Sequence, residues 1–147
     1  MNTPANSLSQ HPGPYRGPVT LLELAFGLAG GPLAWALQFN IGYPLASWPC
    51  FPGDHRMQQQ LYGYDWSWPA LIALMFAATF VALAAMWVSW RNFQKTRAEP
   101  TGEQGRLDVG TGRTRFLALW GLVFSGGFAL ASLATGIAYL TVPRCGG

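Results

Sequence analysis

Two groups of side chains in this 147-residue sequence could do chemistry. Cys50, His55 and Met57 lie close together in the chain, and Cys145 stands near its end. Two thiols can oxidise to a disulfide; alternatively thiolate, imidazole and thioether together can hold a soft ion such as Cu(I). The spacing lends the metal little support, because there is no C-x-x-C, C-x-x-x-C or methionine-rich run. The second group is Gln38 and Asn40, two carboxamides inside a long apolar stretch. A carboxamide in hydrocarbon needs a hydrogen-bond partner, supplied either by a neighbouring helix or by a polar ligand such as a quinone. The remaining inventory is poor. His11 and His55 both lie outside the apolar stretches, so neither is placed to be a haem ligand there. No G-x-S-x-G, H-E-x-x-H or phosphate-binding loop occurs, and the pair Gly126-Gly127 is no nucleotide signature. These absences point to a non-enzymatic chain with no cofactor.

The elements that must position these groups follow from where charge is missing. Only 10% of the residues are charged, against roughly 25% in an ordinary soluble domain. None lies between Leu24 and Gly53, between Trp66 and Trp90, or between Phe116 and Pro143. A bilayer core about 30 Å thick takes roughly 20 apolar helical residues, so each stretch can cross it once. The sequence therefore predicts an all-α integral membrane protein with three transmembrane helices. Residues 1–19, rich in Pro, Ser, Asn and Gly, read as a flexible tail. The first span covers 20–48, and it far exceeds the roughly 7–15 apolar residues of a signal peptide. An aromatic loop follows over 49–66, with Trp48, Phe51, Tyr62, Tyr64, Trp66 and Trp68 at or beside its ends, where headgroups favour amphipathic rings. The second span covers 67–90, with Trp87 and Trp90 at the opposite interface. A basic connector, 91–114, reads as a mobile loop because of Gly102, Gly105, Gly110 and Gly112. The third span covers 115–142, and 143–147 is a tail.

Orientation is read from the count of Lys and Arg on each side. Arg16, Arg91, Lys95, Arg97, Arg106, Arg113 and Arg115 share one side, against Arg56 and Arg144 on the other. This predicts a cytoplasmic N-terminus and a periplasmic C-terminus in a bacterial inner membrane. The same basic residues flank apolar runs rather than interleave with aromatics, so no nucleic-acid partner is expected. Cys50 and Cys145 then lie together on the outer, oxidising side. The expected arrangement is a Cys50–Cys145 disulfide joining the ends of the first and third helices. The alternative is the metal set Cys50, His55, Met57 and Cys145.

Apolar contact alone cannot join helices in lipid; close backbone approach and polar contacts must do it. In the first span Gly27, Gly31, Ala34, Gln38 and Gly42 recur at steps of three and four and so line one face, whereas Asn40 is rotated roughly 200° from Gln38. The second span offers Ala70, Ala73, Ala77 and Ala84, and the third Gly121, Ser125, Ala129, Ser132 and Gly136. Ser125, Ser132, Thr135 or a helix carbonyl are the candidate partners of Gln38.

The stretch Gly31-Pro32-Leu33-Ala34-Trp35-Ala36-Leu37-Gln38-Phe39, with Tyr43, Cys50 and the terminal Pro143-Arg144-Cys145, resembles small multi-spanning proteins encoded beside proteobacterial cytochrome c oxidase subunits. In that family a histidine often stands where this chain has Gln38. The resemblance implies an accessory subunit or assembly partner of a haem-copper oxidase. The expected function is accordingly a non-catalytic role in stabilising or assembling a respiratory membrane complex. Two other classes remain open: a copper-handling assembly factor at the outer face, and an oligomeric small transporter or channel subunit.

Overall fold

The structure, a computed structural model, describes residues 19–51, 55, 59, 61–97, 109–142 and 145. Its elements are α1 (Leu21–Ser47), a 3-10 turn (Trp48–Cys50), α2 (Ser67–Arg97) and α3 (Val109–Thr141), with no strand among the described residues. Each helix is long and apolar enough to cross a membrane. α1 begins at a capping box: Glu23 N–H donates to Thr20 Oγ1 at 3.2 Å, and Thr20 N–H donates to Glu23 Oε2 at 3.1 Å. Two otherwise orphaned donors are thereby satisfied. At the other end Pro49 stands within the 3-10 turn, where an α-helix cannot continue with all its hydrogen bonds.

Contacts fix the topology. Ser89, late in α2, meets Gly27 early in α1 and Gly121 early in α3, while Met75 early in α2 meets Gly136 late in α3. α1 and α3 therefore run in the same direction and α2 runs against them. One end of the bundle gathers Glu23, Arg91, Lys95 and Arg115; Lys95 Nζ lies 3.9 Å from Glu23 Oε1. The opposite end gathers Cys50, Cys145 and the aromatic residues Trp48, Tyr62 and Trp66, all three well exposed.

The core is small and polar. Gln38, Ser89, Ser125, Ser132 and Asn92 are buried along with Ala82 and Ala85, whereas Leu33, Leu37, Phe76, Phe80 and Leu130 face outward. That inversion of a water-soluble protein suits a bundle whose solvent is hydrocarbon, since bulky apolar side chains gain nothing by leaving lipid while small ones let backbones approach.

Two sequence expectations need correction. The connector is shorter than 91–114: α2 continues through Arg97, and α3 already begins at Val109, so Gly110 and Gly112 are helical. Arg, Gln and Lys are good helix formers, and a helix need not end where its apolar stretch does. On α2, Ala73 and Ala77 are exposed; the buried face carries Leu71, Met75, Ala78, Ala82, Ala85 and Ser89. Alanine occupies adjacent positions there, and a one-residue shift turns the stripe by about 100°. The tail over residues 1–18, the connector segment 98–108, Met57, and Pro143 with Arg144 lie outside the described residues.

Candidate functional site

The closest approach of the helices is built on glycine. A Cβ on Gly31 would lie 2.7 Å from the Cα of Ser125, and one on Gly121 would lie 2.5 Å from Ser89 Oγ and 3.0 Å from the carbonyl oxygen of Gly27. A Cβ on Gly27 would collide with the same Ser89 hydroxyl. Ser125 Oγ donates to the Gly27 carbonyl at 2.7 Å. α1, α2 and α3 thus meet within one turn of each other around Gly27, Ser89, Gly121 and Ser125. Further along, Gly42 lies against Tyr139 and Gly136 against Met75.

Gln38 lies about three turns beyond Gly27 toward the cysteine end, past the buried Ala34. It is 1% exposed, and its Nε2 donates to the backbone carbonyl of Ser132 at 2.9 Å. Asn40, on the opposite face, is exposed and donates to the Ala36 carbonyl of its own helix at 2.8 Å. Only the first carboxamide therefore joins two helices. A further bond between α1 and α3 runs from Trp35 Nε1 to Thr135 Oγ1 at 3.2 Å. Gln38 and Ser132 are enclosed too completely to meet a ligand of quinone size without helix separation.

Along the α1–α3 seam the aromatic rings form a ridge made of two series. On α3, Phe116, Trp120 and Phe124 follow one another with centroids 5.9 and 5.1 Å apart. Phe128, one turn on, touches Trp35 of α1 at 5.4 Å, and Trp35, Phe39 and Tyr43 continue the series at 6.0 and 6.2 Å. Spacing of four residues puts successive rings on one helix face. From Phe116 to Tyr43 the ridge rises about 30 Å at 1.5 Å per residue, close to the thickness of a hydrocarbon core. Phe39, Tyr43, Phe116, Trp120 and Phe124 are all exposed in the isolated chain.

At the far end Cys50 and Cys145 form a disulfide, with Cα atoms 4.8 Å apart and 95 residues between them in sequence. Both are buried. Cys145 has a positive φ of 57°, a left-handed backbone conformation. With both sulfurs in the disulfide, neither is a thiolate ligand. His55 is exposed, Met57 lies outside the described residues, and no group of three or more His, Cys, Asp or Glu among the described residues is placed to hold a metal ion.

No protein-family model, curated protein or solved structure matches this chain. The eight residues assigned to helix packing from their spacing, Gly27, Gly31, Gln38, Gly42, Gly121, Ser125, Ser132 and Gly136, are all buried. Sequence reasoning missed Ser89, Asn92 and Thr96, which continue the buried α2 face beyond Ala78, Ala82 and Ala85. Their signal was available in steps of three and four, but it ran across the boundary set at Trp90.

Proposed function

We propose that this chain is a non-catalytic accessory subunit or assembly partner of a respiratory membrane complex, in the first place a haem-copper cytochrome oxidase, in a bacterial inner membrane. The observation that carries the packing role is the aromatic ridge on the α1–α3 seam, which spans the apolar thickness and has no covering element within the described residues. The oxidase assignment rests on the resemblance of residues 31–39, Tyr43, Cys50 and 143–145. The polar groups buried in the bundle at Gln38, Ser125 and Trp35 serve its own helix contacts, which fits a structural rather than a catalytic role.

In this reading the basic end is cytoplasmic, by the excess of seven Lys and Arg over two, and the disulfide end is periplasmic. Alkaline phosphatase fused after Tyr62 is then active and fused after Lys95 is inactive; the reverse pattern overturns the orientation. For function, affinity purification from native membranes in mild detergent is expected to bring oxidase subunits with the tagged chain. Replacing Phe39 and Trp120 with Ala is expected to lower that recovery while leaving the bundle folded. Repeated isolation of the chain alone, or unchanged recovery with the double variant, overturns the proposal.

A further inference from the structure

Near the middle of the bundle, three buried polar atoms have no hydrogen-bond partner among the described residues: Gln38 Oε1 on α1, Thr79 Oγ1 on α2 and Ser132 Oγ on α3. Gln38 and Ser132 are adjacent, since Gln38 Nε2 donates to the Ser132 carbonyl. A carbonyl only accepts, so the amide nitrogen must face it and the amide oxygen is turned away. Thr79 belongs to the same level by register. Met75 lies against Gly136, and α2 and α3 are antiparallel, so one turn onward in α2 and one turn back in α3 bring Thr79 level with Ser132. Each helix contributes one unused hydrogen-bonding group to a single layer. The three residues are at most 8% exposed, which leaves no path for a large ligand.

We propose that this layer binds one internal water molecule, which links the three helices. A buried water makes on average three hydrogen bonds to polar groups that would otherwise be orphaned, and it needs a polar site with two to four partners. Here it donates to Gln38 Oε1 and to one hydroxyl and accepts from the other, so every unused group is satisfied. A dry layer would leave three polar atoms unsatisfied in a low-dielectric core, at a cost that an apolar side chain of the same shape would avoid. The sign of that substitution therefore separates the two states.

The experiment uses the full chain in lipid nanodiscs with ¹⁵N-labelled glutamine, the Gln38 side-chain amide being assigned by its loss in Gln38→Met. The expected result is a cross-peak from a long-lived water to the Gln38 amide protons, lost in the Thr79→Val, Ser132→Ala double variant. In parallel, Thr79→Val lowers the thermal midpoint, because it removes a partner of the water. Absence of the cross-peak in the wild-type chain overturns the proposal, as does a Thr79→Val midpoint equal to or above that of wild type. Should the double variant fail to fold, the wild-type spectrum and the single Thr79→Val variant still decide.

Discussion

Replacing Gly31 with alanine tests whether backbone approach holds this bundle together. The new Cβ would sit 2.7 Å from the Cα of Ser125, a backbone atom that no rotamer change can move away. Carbon atoms prefer about 3.5–4.0 Å, so α1 and α3 must part by roughly 1 Å at this crossing. Overpacking of that kind costs about 1–3 kcal/mol. The same displacement stretches the 2.7 Å bond from Ser125 Oγ to the Gly27 carbonyl, and an interhelical bond in a membrane protein contributes about 0.6 kcal/mol on average. Against this, Ala gains about 0.8–1.0 kcal/mol of helix propensity over Gly. The net loss is about 1–3 kcal/mol, a roughly 5- to 150-fold fall in the folded-to-unfolded ratio. Gly127→Ala is the internal control, because a Cβ there meets nothing within 4 Å. It carries only the propensity gain and is expected to stabilise by about 0.5–1 kcal/mol. Titration with SDS in mixed micelles, followed by tryptophan fluorescence and circular dichroism, measures both. The reasoning fails if Gly31→Ala is as stable as wild type, or if the two variants shift in the same direction by similar amounts.

The same titration checks the polar contacts. Ser125→Ala is expected to lose about 0.5–1.5 kcal/mol through its buried bond to Gly27, whereas Asn40→Ala changes little because that amide bonds only within its own helix. Trp35→Phe keeps an aromatic ring beside Phe128 but removes the donor to Thr135, and should cost about 0.5–1.5 kcal/mol. Cys50→Ser opens a link across 95 residues, yet the loss should fall well short of the roughly 4–5 kcal/mol that chain entropy assigns to so long a loop. Membrane insertion already confines the unfolded helices, so the variant should remain helical, and a complete loss of the bundle would contradict this. Thiol labelling of denatured, unreduced wild-type protein should find both cysteines blocked.

How far the sequence foreshadowed this architecture depends on the element. The gaps in charge marked three helices because a charge in hydrocarbon is costly everywhere, so the signal does not depend on which neighbour a helix meets. The packing face of α1 was legible because Gly27, Gly31, Ala34 and Gly42 recur in one register with Gln38, a polar residue whose contrast with its apolar neighbours marks the face; Gly30, buried against Ala85, lies outside that register. α2 offers no single register. Ala77, Ala78, Ala82, Ala84 and Ala85 give several faces of equal quality, and only contact with Gly30 and Gly27 selects Ala85 and Ser89. Asn92 falls in the expected connector because a polar residue beyond an apolar run is ordinarily water-facing. In a small-residue bundle a polar side chain can instead be the most buried one, and Asn92 is 1% exposed. The two aromatic series, Trp35–Phe39–Tyr43 and Phe116–Trp120–Phe124–Phe128, are visible as steps of four, but their meeting at Trp35 and Phe128 depends on how α3 is rotated against α1.

The ridge also constrains what could cover it. In lipid, an exposed aromatic face is already solvated by hydrocarbon, so burying its area contributes no hydrophobic energy as it would in water. A partner on the proposed reading must therefore supply something lipid tails cannot: a fixed surface that fits between the rings, and acceptors for the polar tips. Successive rings stand about 5–6 Å apart along the helical repeat, a spacing that suits a partner helix with small residues at four-residue intervals. Trp120 and Tyr43, both exposed on the ridge, each carry one polar group, which a partner with hydroxyl or carbonyl groups at those two depths can bond. Crosslinking from a photoreactive residue at Phe39 or Phe124 should capture a helix of that composition. Capture of lipid alone in native membranes, with no protein adduct, would mean that the ridge faces the bilayer and would overturn the proposed packing role.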